Sequence, residues 1–228
     1  MAAIINIEHL HKSYGDLEVL KDVNASFFNS SVYGIMGKNG AGKTTFFKCL
    51  CGFESYSGLI ETNLGILKHH IAYLPTDLYF FSKLTAREYL RFVLLAKGIR
   101  SFDLDRKNIF DLPLDQYAEQ YSTGMKKKLA IMSLLLMDTA VYILDEPFNG
   151  VDIQSNLLIS EMIKKLKERN KCVLISSHIF STLTELCDEI LVLENAHFAQ
   201  QLKPDQFPQL QSDLLQALDI DRLNQFFG

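Results

Sequence analysis

The chain has 228 residues, 48% of them apolar, and its 23 Lys and Arg stand against 27 Asp and Glu for a net charge of −4. That length carries a sizeable core in one domain or two closely packed lobes, and the charge balance excludes a broad basic surface for nucleic acid. No uninterrupted apolar run exceeds about five residues, against the ~20 of a membrane span, and Met1-Ala2-Ala3-Ile4 opens no signal-peptide pattern, so the chain is expected to stay in the cytoplasm.

Short β-prone segments at Ile4 to Ile7, Glu18 to Leu20, Val23 to Phe27 and Ser31 to Met36 come first. The last runs into Gly37-Lys38-Asn39-Gly40-Ala41-Gly42-Lys43-Thr44-Thr45, which meets the pattern G-x-x-x-x-G-K-[ST] through Gly37, Gly42, Lys43 and Thr44. Glycines let the backbone aim its N–H groups at phosphate oxygens with no Cβ in the way. Lys43 reaches the outer phosphates as a point charge, and the Thr44 hydroxyl suits a magnesium ion shared with nucleotide oxygens. Lys43 to Leu50 reads as the helix whose N-terminal dipole faces the phosphates.

Gly58 to Glu61 and Ile71 to Leu74 read as further strands. His69-His70 is a poor metal pair, because adjacent strand residues point to opposite faces; exposure or a hairpin role is expected. No strand signal follows from about 78 to 137. Within that region Thr85-Ala86-Arg87-Glu88 is a capping box that opens a helix to about Lys97. A charged stretch from Asp103 to Asn108 follows, and then Tyr121-Ser122-Thr123-Gly124-Met125-Lys126 opens an apolar helical stretch from Leu129 to Met137. Lys126-Lys127-Lys128 opposes the dipole of that helix. It is expected on a solvated face, the alternative being that Lys126 lies near an anionic nucleotide.

Ala140 to Leu144 suits a buried parallel strand and ends in Asp145-Glu146-Pro147. Open α/β sheets bind ligands at the C-terminal ends of such strands. Asp145 is therefore expected to hold magnesium, usually through water, and Glu146 to polarise a water that attacks the γ-phosphate. Helix and strand then alternate: a helix over 153–169, a strand from Cys172 to Ser176, a helix from Ile179 to Leu186 and a strand from Ile190 to Glu194. From Asp213 to Phe227 the apolar residues Leu214, Leu215, Leu218, Leu223, Phe226 and Phe227 fall at helical spacing, as for a closing helix. Cys49, Cys51, Cys172 and Cys187 match no zinc spacing and are expected as small buried hydrophobes.

In this order and spacing the motifs resemble those of the ATP-binding cassette (ABC) ATPases over nearly the whole chain. The family signature, commonly L-S-G-G-Q, lies between the phosphate loop and the acidic strand, where this chain has Ser122, Thr123 and Gly124. The resemblance implies that Tyr14 stacks on adenine and that Asn149-Gly150-Val151-Asp152 is the D-loop, with Asp152 at the nucleotide interface. It also implies that His178 is the switch histidine holding the γ-phosphate and the water in line with Glu146. The fold it implies is α/β, a P-loop NTPase (RecA-like) core sheet with an N-terminal antiparallel β subdomain and an inserted α-helical subdomain. One ABC ATPase domain would then span 1–228, with the antiparallel β subdomain and phosphate-loop part of the core over 1–77. The helical subdomain with the signature would span 78–137, the rest of the core 138–202 and a C-terminal helical tail 203–228.

The implied activity is hydrolysis of ATP, with Mg2+, to power a separate membrane-spanning permease of the exporter type. Two subunits, as a homodimer or heterodimer, would sandwich two nucleotides, each signature reaching the ATP of the second ABC ATPase subunit. The protein would sit peripherally on the inner face of the membrane, with no nucleic-acid partner. Two positions depart from the family pattern. Thr76, in Tyr73-Leu74-Pro75-Thr76-Asp77, replaces a longer glutamine or glutamate, so metal contact passes to Thr76 through water or to Asp77. Thr123 replaces the first signature glycine, while Gly124 keeps the close approach of a phosphate open. Other readings of the same motifs are a soluble ABC ATPase in cofactor assembly or nucleic-acid and ribosome processes, a regulatory module without turnover, and a small-molecule kinase.

Overall fold

The computed structural model describes residues 2–100 and 102–216. In chain order its first elements are β1 (Ile5–Tyr14), β2 (Leu17–Phe27), β3 (Ser31–Met36), α1 (Lys43–Leu50), β4 (Ser57–Thr62) and β5 (Ile71–Leu74). Helices α2 (Ala86–Ala96) and α3 (Thr123–Met137) follow, then β6 (Val141–Asp145), α4 (Ile153–Glu168) and β7 (Cys172–Ser176). The chain continues through α5 (Phe180–Leu186), β8 (Glu189–Glu194), β9 (His197–Leu202) and α6 (Phe207–Gln216).

The strands form two sheets. A six-stranded sheet has the order β5-β6-β7-β3-β8-β9, parallel except for β9, which runs antiparallel to β8. A three-stranded antiparallel sheet has the order β2-β1-β4. Because side chains alternate along a strand, the central parallel strands feed two separate cores. Tyr33, Ile35, Val141, Ile143, Cys172, Leu174, Leu191 and Leu193 pack with α1 and the antiparallel sheet. Val32, Tyr142, Leu144, Val173, Ile175, Ile190 and Val192 pack on the other side with residues of α2 to α6. This two-sided burial is why those strands read as continuous apolar runs. All four cysteines are free and buried in these cores.

The segments expected at 18–20 and 23–27 belong to one strand. A bulge, and not a turn, separates them: Asp22 sits at φ +48 and His9 across the hairpin at φ +49, with His9 Nδ1 2.6 Å from Asp22 Oδ1. Bulges absorb such residues without ending the pairing. The true turn is the two-residue loop Gly15-Asp16, with Gly15 at φ +58. His69 and His70 lie on a 3-10 turn over Leu67–His70 that leads into β5, and not on a strand. β9 carries no sequence signal because it is a mostly exposed edge strand, so its polar residues face water.

The region from 78 to 137 is helical where it is regular. Thr85 caps α2 with the reciprocal capping box, its side chain accepting from the Glu88 amide while Glu88 reaches back. Arg87 grips the irregular segment between α2 and α3, donating to both carboxylate oxygens of Asp105 at 2.9 Å and to Asp115 at 2.7 and 3.1 Å. The tail helix expected over 213–227 lies largely outside the described residues, of which Gln216, in α6, is the last. No helix among the described residues is long and apolar enough to cross a membrane.

The antiparallel sheet depends on one glycine more than its sequence context suggests. At Gly58, φ is +99 and a Cβ would lie 2.1 Å from the His9 carbonyl oxygen, whereas Gly65, at φ +83, has open space. Gly65→Ala is expected to cost about 1–2 kcal/mol from backbone conformation alone. Gly58→Ala should cost about 2–5 kcal/mol, because overpacking against a fixed backbone adds about 1–3 to the same conformational cost. Urea unfolding at constant m-value measures both; equal losses would show that the β1–β4 approach is not the constraint.

Candidate active site

The phosphate loop leaves β3 and enters α1 through Gly42, the N-cap, at φ +107. Gly42 offers no side-chain cap and the first turn holds no acidic residue, so the first-turn amides and the helix dipole are open to an external anion. Two loop glycines are sterically required. A Cβ at Gly37 would sit 2.6 Å from the Leu193 carbonyl oxygen, and one at Gly42 would sit 2.9 Å from that of Val19.

A cavity of about 510 Å³ opens over this loop and brings together Asn39, Gly40, Ala41, Gly42, Lys43, Thr44, Thr45, Thr76, Asp145, Glu146 and His178. Lys43 is buried, and its ammonium donates to the carbonyls of Gly37 at 2.6 Å and Lys38 at 3.2 Å. Asp145 ends β6 at 1% exposure. Its Oδ2 accepts from Thr44 Oγ1 at 2.6 Å and its Oδ1 from Ser176 Oγ at 2.5 Å. Ser176 Oγ in turn accepts from the Glu146 amide at 2.9 Å. Glu146 adopts φ +51, and its Oε2 lies 2.9 Å from His178 Nδ1, with the carboxylate nearly buried and the imidazole half exposed. One continuous chain of polar contacts therefore runs from the phosphate loop through Asp145 and Ser176 to Glu146 and His178.

Tyr14 does not line the cavity but is tied to its edge. Its hydroxyl interacts with Glu54 and Thr45, and burial, followed by the bond to Glu54, raises the phenol pKa. Lys12 Nζ sits 4.6 Å above the ring centroid and pairs with Glu54 at 3.0 Å. The residue stays 45% exposed.

None of Ser122, Thr123, Gly124 or Asp152 lines the phosphate-loop cavity. Ser122 caps α3, accepting from the Met125 amide at 3.2 Å. The close approach at Gly124 is made by this chain itself, since a Cβ there would lie 2.9 Å from the Gly150 carbonyl oxygen. Asp152 caps α4 through the Ser155 amide at 2.9 Å and pairs with Lys128 at 2.7 Å. A second cavity, of about 410 Å³, is lined by Thr76, Asp77, Thr123, Lys126, Lys127 and Asn149. Thr76 thus faces both cavities and Asp77 only the second.

The lysine run is not a solvated face. Lys127 is 3% exposed and donates to the Glu146 carbonyl at 2.9 Å, and Lys128 is taken up by Asp152. Both partners are far away in sequence, so dipole and polarity rules miss them. Ser176 was visible only as part of a strand end. Its sequence signal is a hydroxyl closing an otherwise apolar strand, which needs a partner when buried.

The Thr44 hydroxyl and Asp145 carboxylate are hard oxygen donors, which fits Mg2+ held by one or two carboxylates plus substrate phosphates. Among the described residues no group of three His, Cys, Asp or Glu side chains forms an all-protein metal cage, and that mode of binding needs none.

The ABC transporter family model matches residues 20–149. The chain is 32% identical over 223 residues to the bacitracin transport ATP-binding protein of Bacillus licheniformis, covering 90% of this chain and 71% of that protein. It is 29% identical over 198 residues to an ABC transporter ATP-binding protein of Methanocaldococcus jannaschii, covering 83% of this chain and 74% of that one. A solved structure described as the ATP binding subunit of an ABC transporter superposes with a TM-score of 0.79 at 25% identity, covering 97% of this chain and 98% of the other.

The Asp152–Lys128 pair yields a pH test. Lys128, and then the Ser155 bonds, hold the Asp152 carboxyl well below the usual carboxylate range. Its contribution to stability is therefore complete above the unfolded value, about 3.9, and is lost as pH falls through the depressed folded value. Asp152→Asn, which keeps a capping oxygen, should melt below the parent from about pH 5 to 8, and the gap should close on acidification below about pH 4. A gap that does not change with pH would remove the charge from the account.

Proposed function

This chain belongs to the ABC transporter ATP-binding family and hydrolyses ATP, and from that premise we propose a mechanism in which the polar chain from Thr44 to His178 forms the hydrolytic centre. The observation that carries it is the direct link between the phosphate loop and two carboxylates through Asp145 and Ser176. Lys43 exchanges the Gly37 and Lys38 carbonyls for the outer phosphates of ATP, an exchange of neutral acceptors for charged ones. The α1 amides and the residues Lys38 to Thr45 cradle the phosphates, and Tyr14 takes the adenine. Thr44 and Asp145 would hold Mg2+, which supplies charge neutralisation on the phosphates when bound. Thr76 lines the same cavity and Asp77 only the next, which favours Thr76 as the nearer replacement for the family glutamine.

Glu146 acts as general base on the attacking water. Its amide is fixed by Ser176 and its carboxylate by His178, so the proton acceptor is oriented before the substrate binds. His178 is half exposed and free to turn from Glu146 toward the γ-phosphate, holding water and phosphate in line.

Ser122, Thr123 and Gly124 lie away from this chain's own phosphate-loop cavity, which supports a site completed by a second subunit. In this reading the N-terminus of α3 reaches the ATP of the partner, two nucleotides are sandwiched, and hydrolysis lets the subunits part. Asp152 positions α4 against that interface. Residues 1–77, 78–137, 138–202 and 203–228 act as the divisions of one ATPase domain, the helical part carrying the signature. The motion drives a separate permease, with this subunit peripheral on the inner membrane face. An exporter-type permease is supported by the signature Ser122-Thr123-Gly124-Met125-Lys126 and by likeness to a bacitracin transport ATP-binding protein.

Glu146→Gln keeps the shape and removes the base. Turnover should fall by about 10²–10⁴-fold, ATP should still bind, and light scattering should show an ATP-held dimer accumulating. Near-parent phosphate release by the variant would take the role of base away from Glu146.

A further inference from the structure

The first two turns of α3 grip the segment that carries Glu146 at three points. Gly124 abuts the Gly150 carbonyl, Lys128 pairs with Asp152, and Lys127 donates to the Glu146 carbonyl at 2.9 Å. Of these contacts the third is the least expected. Lys127 is 3% exposed, and a buried ammonium is costly to hold in place. Its hydrogen-bond partner is a neutral backbone oxygen, and the carboxylates of Asp145, Glu146 and Asp77 act on the charge only at longer range. Glu146 has φ +51, a conformation that a residue with a Cβ holds only where its surroundings over-determine it. Here the Ser176 hydroxyl fixes the amide, and the carbonyl accepts from Lys127 at 2.9 Å as well as from the Asn149 amide at 3.3 Å. Both flanking peptide groups are thus held, and Lys127 supplies the shorter bond to the carbonyl.

We infer that Lys127 is a positioning residue for ATP hydrolysis: by holding the Glu146 carbonyl it aims the carboxylate, and it ties that aim to the position of the signature helix. The inference rests on the reading of Glu146 as general base. Burial lowers the Lys127 pKa while the charges of Asp145, Glu146 and Asp77 oppose that shift. Lys127 also lines the second cavity.

The test is ATP hydrolysis by the full chain carrying Lys127→Met, which keeps the length of the side chain and removes the donor. Turnover should fall about 10- to 100-fold, the scale of a misplaced reacting group. ATP affinity should match the parent and the melting temperature should be equal or higher, because a buried charge has been removed. Lys127→Arg, which restores a charged donor beside the cavity, should recover most of the rate. In a Glu146→Gln background, Lys127→Met should lower the residual rate no further. Parent-like turnover in Lys127→Met, an equal loss of ATP affinity and rate, a lowered melting temperature, no recovery by Arg, or additive losses in the double variant would each overturn the proposal. If instead Glu146→Gln alone hydrolyses normally, it is the assignment of the base that fails, and the two failures are read from separate variants.

Discussion

A carboxylate buried to 1% exposure needs a hydrogen-bond donor on each oxygen, and Asp145 obtains them from two different elements. Thr44, at the start of α1, satisfies one oxygen and Ser176, at the end of β7, the other. The phosphate loop, the acidic strand and the neighbouring strand are thereby held to one another at the ends where parallel strands of an open sheet bind ligands. Ser176 uses its remaining capacity to hold the Glu146 amide, so the geometry of Glu146 follows from the burial of its neighbour. Remove the Asp145 charge and three elements lose their common anchor.

The second organising contact joins the helical region to that centre. α3 begins at the signature, and within two turns it has touched Gly150, Glu146 and Asp152. A segment of seven residues is thus seated on a helix that sits outside the parallel sheet. Any displacement of the helix is transmitted to the backbone of Glu146, since the contacts are a hydrogen bond, an ion pair and a backbone approach too close for slack. In a transporter ATPase this offers a direct mechanical route between the face bearing the signature and the chemistry of hydrolysis.

What the sequence disclosed was what local chemistry encodes. The loop Gly37–Thr45 is a contiguous pattern, and β3, α1, β5 and β7 have the bounds expected because apolar runs and helix starts are local signals. Asp145, Glu146 and His178 were legible as polar residues ending apolar strands, and the structure brings all three to one cavity. The misses share one cause, long-range partners. Lys127 looks solvated until the Glu146 carbonyl is placed beside it, and no local signal foretells that Gly150 comes so close to Gly124. β2 reads as two strands because a bulge residue such as Asp22 carries the same composition as a turn. β9 is held mainly by its backbone pairing with β8, with Phe198 as its inward anchor, which leaves little trace in side-chain pattern.

The claim on which the account stands is that the Asp145 carboxylate organises the centre and holds magnesium with Thr44. The direct measurement is phosphate release against magnesium concentration for the parent and for Asp145→Asn, with ATP binding followed in parallel. The account predicts magnesium-dependent turnover in the parent and its loss in the variant, which keeps nucleotide binding through the phosphate loop. Hydrolysis by Asp145→Asn at the parent rate and with the parent magnesium dependence would contradict it.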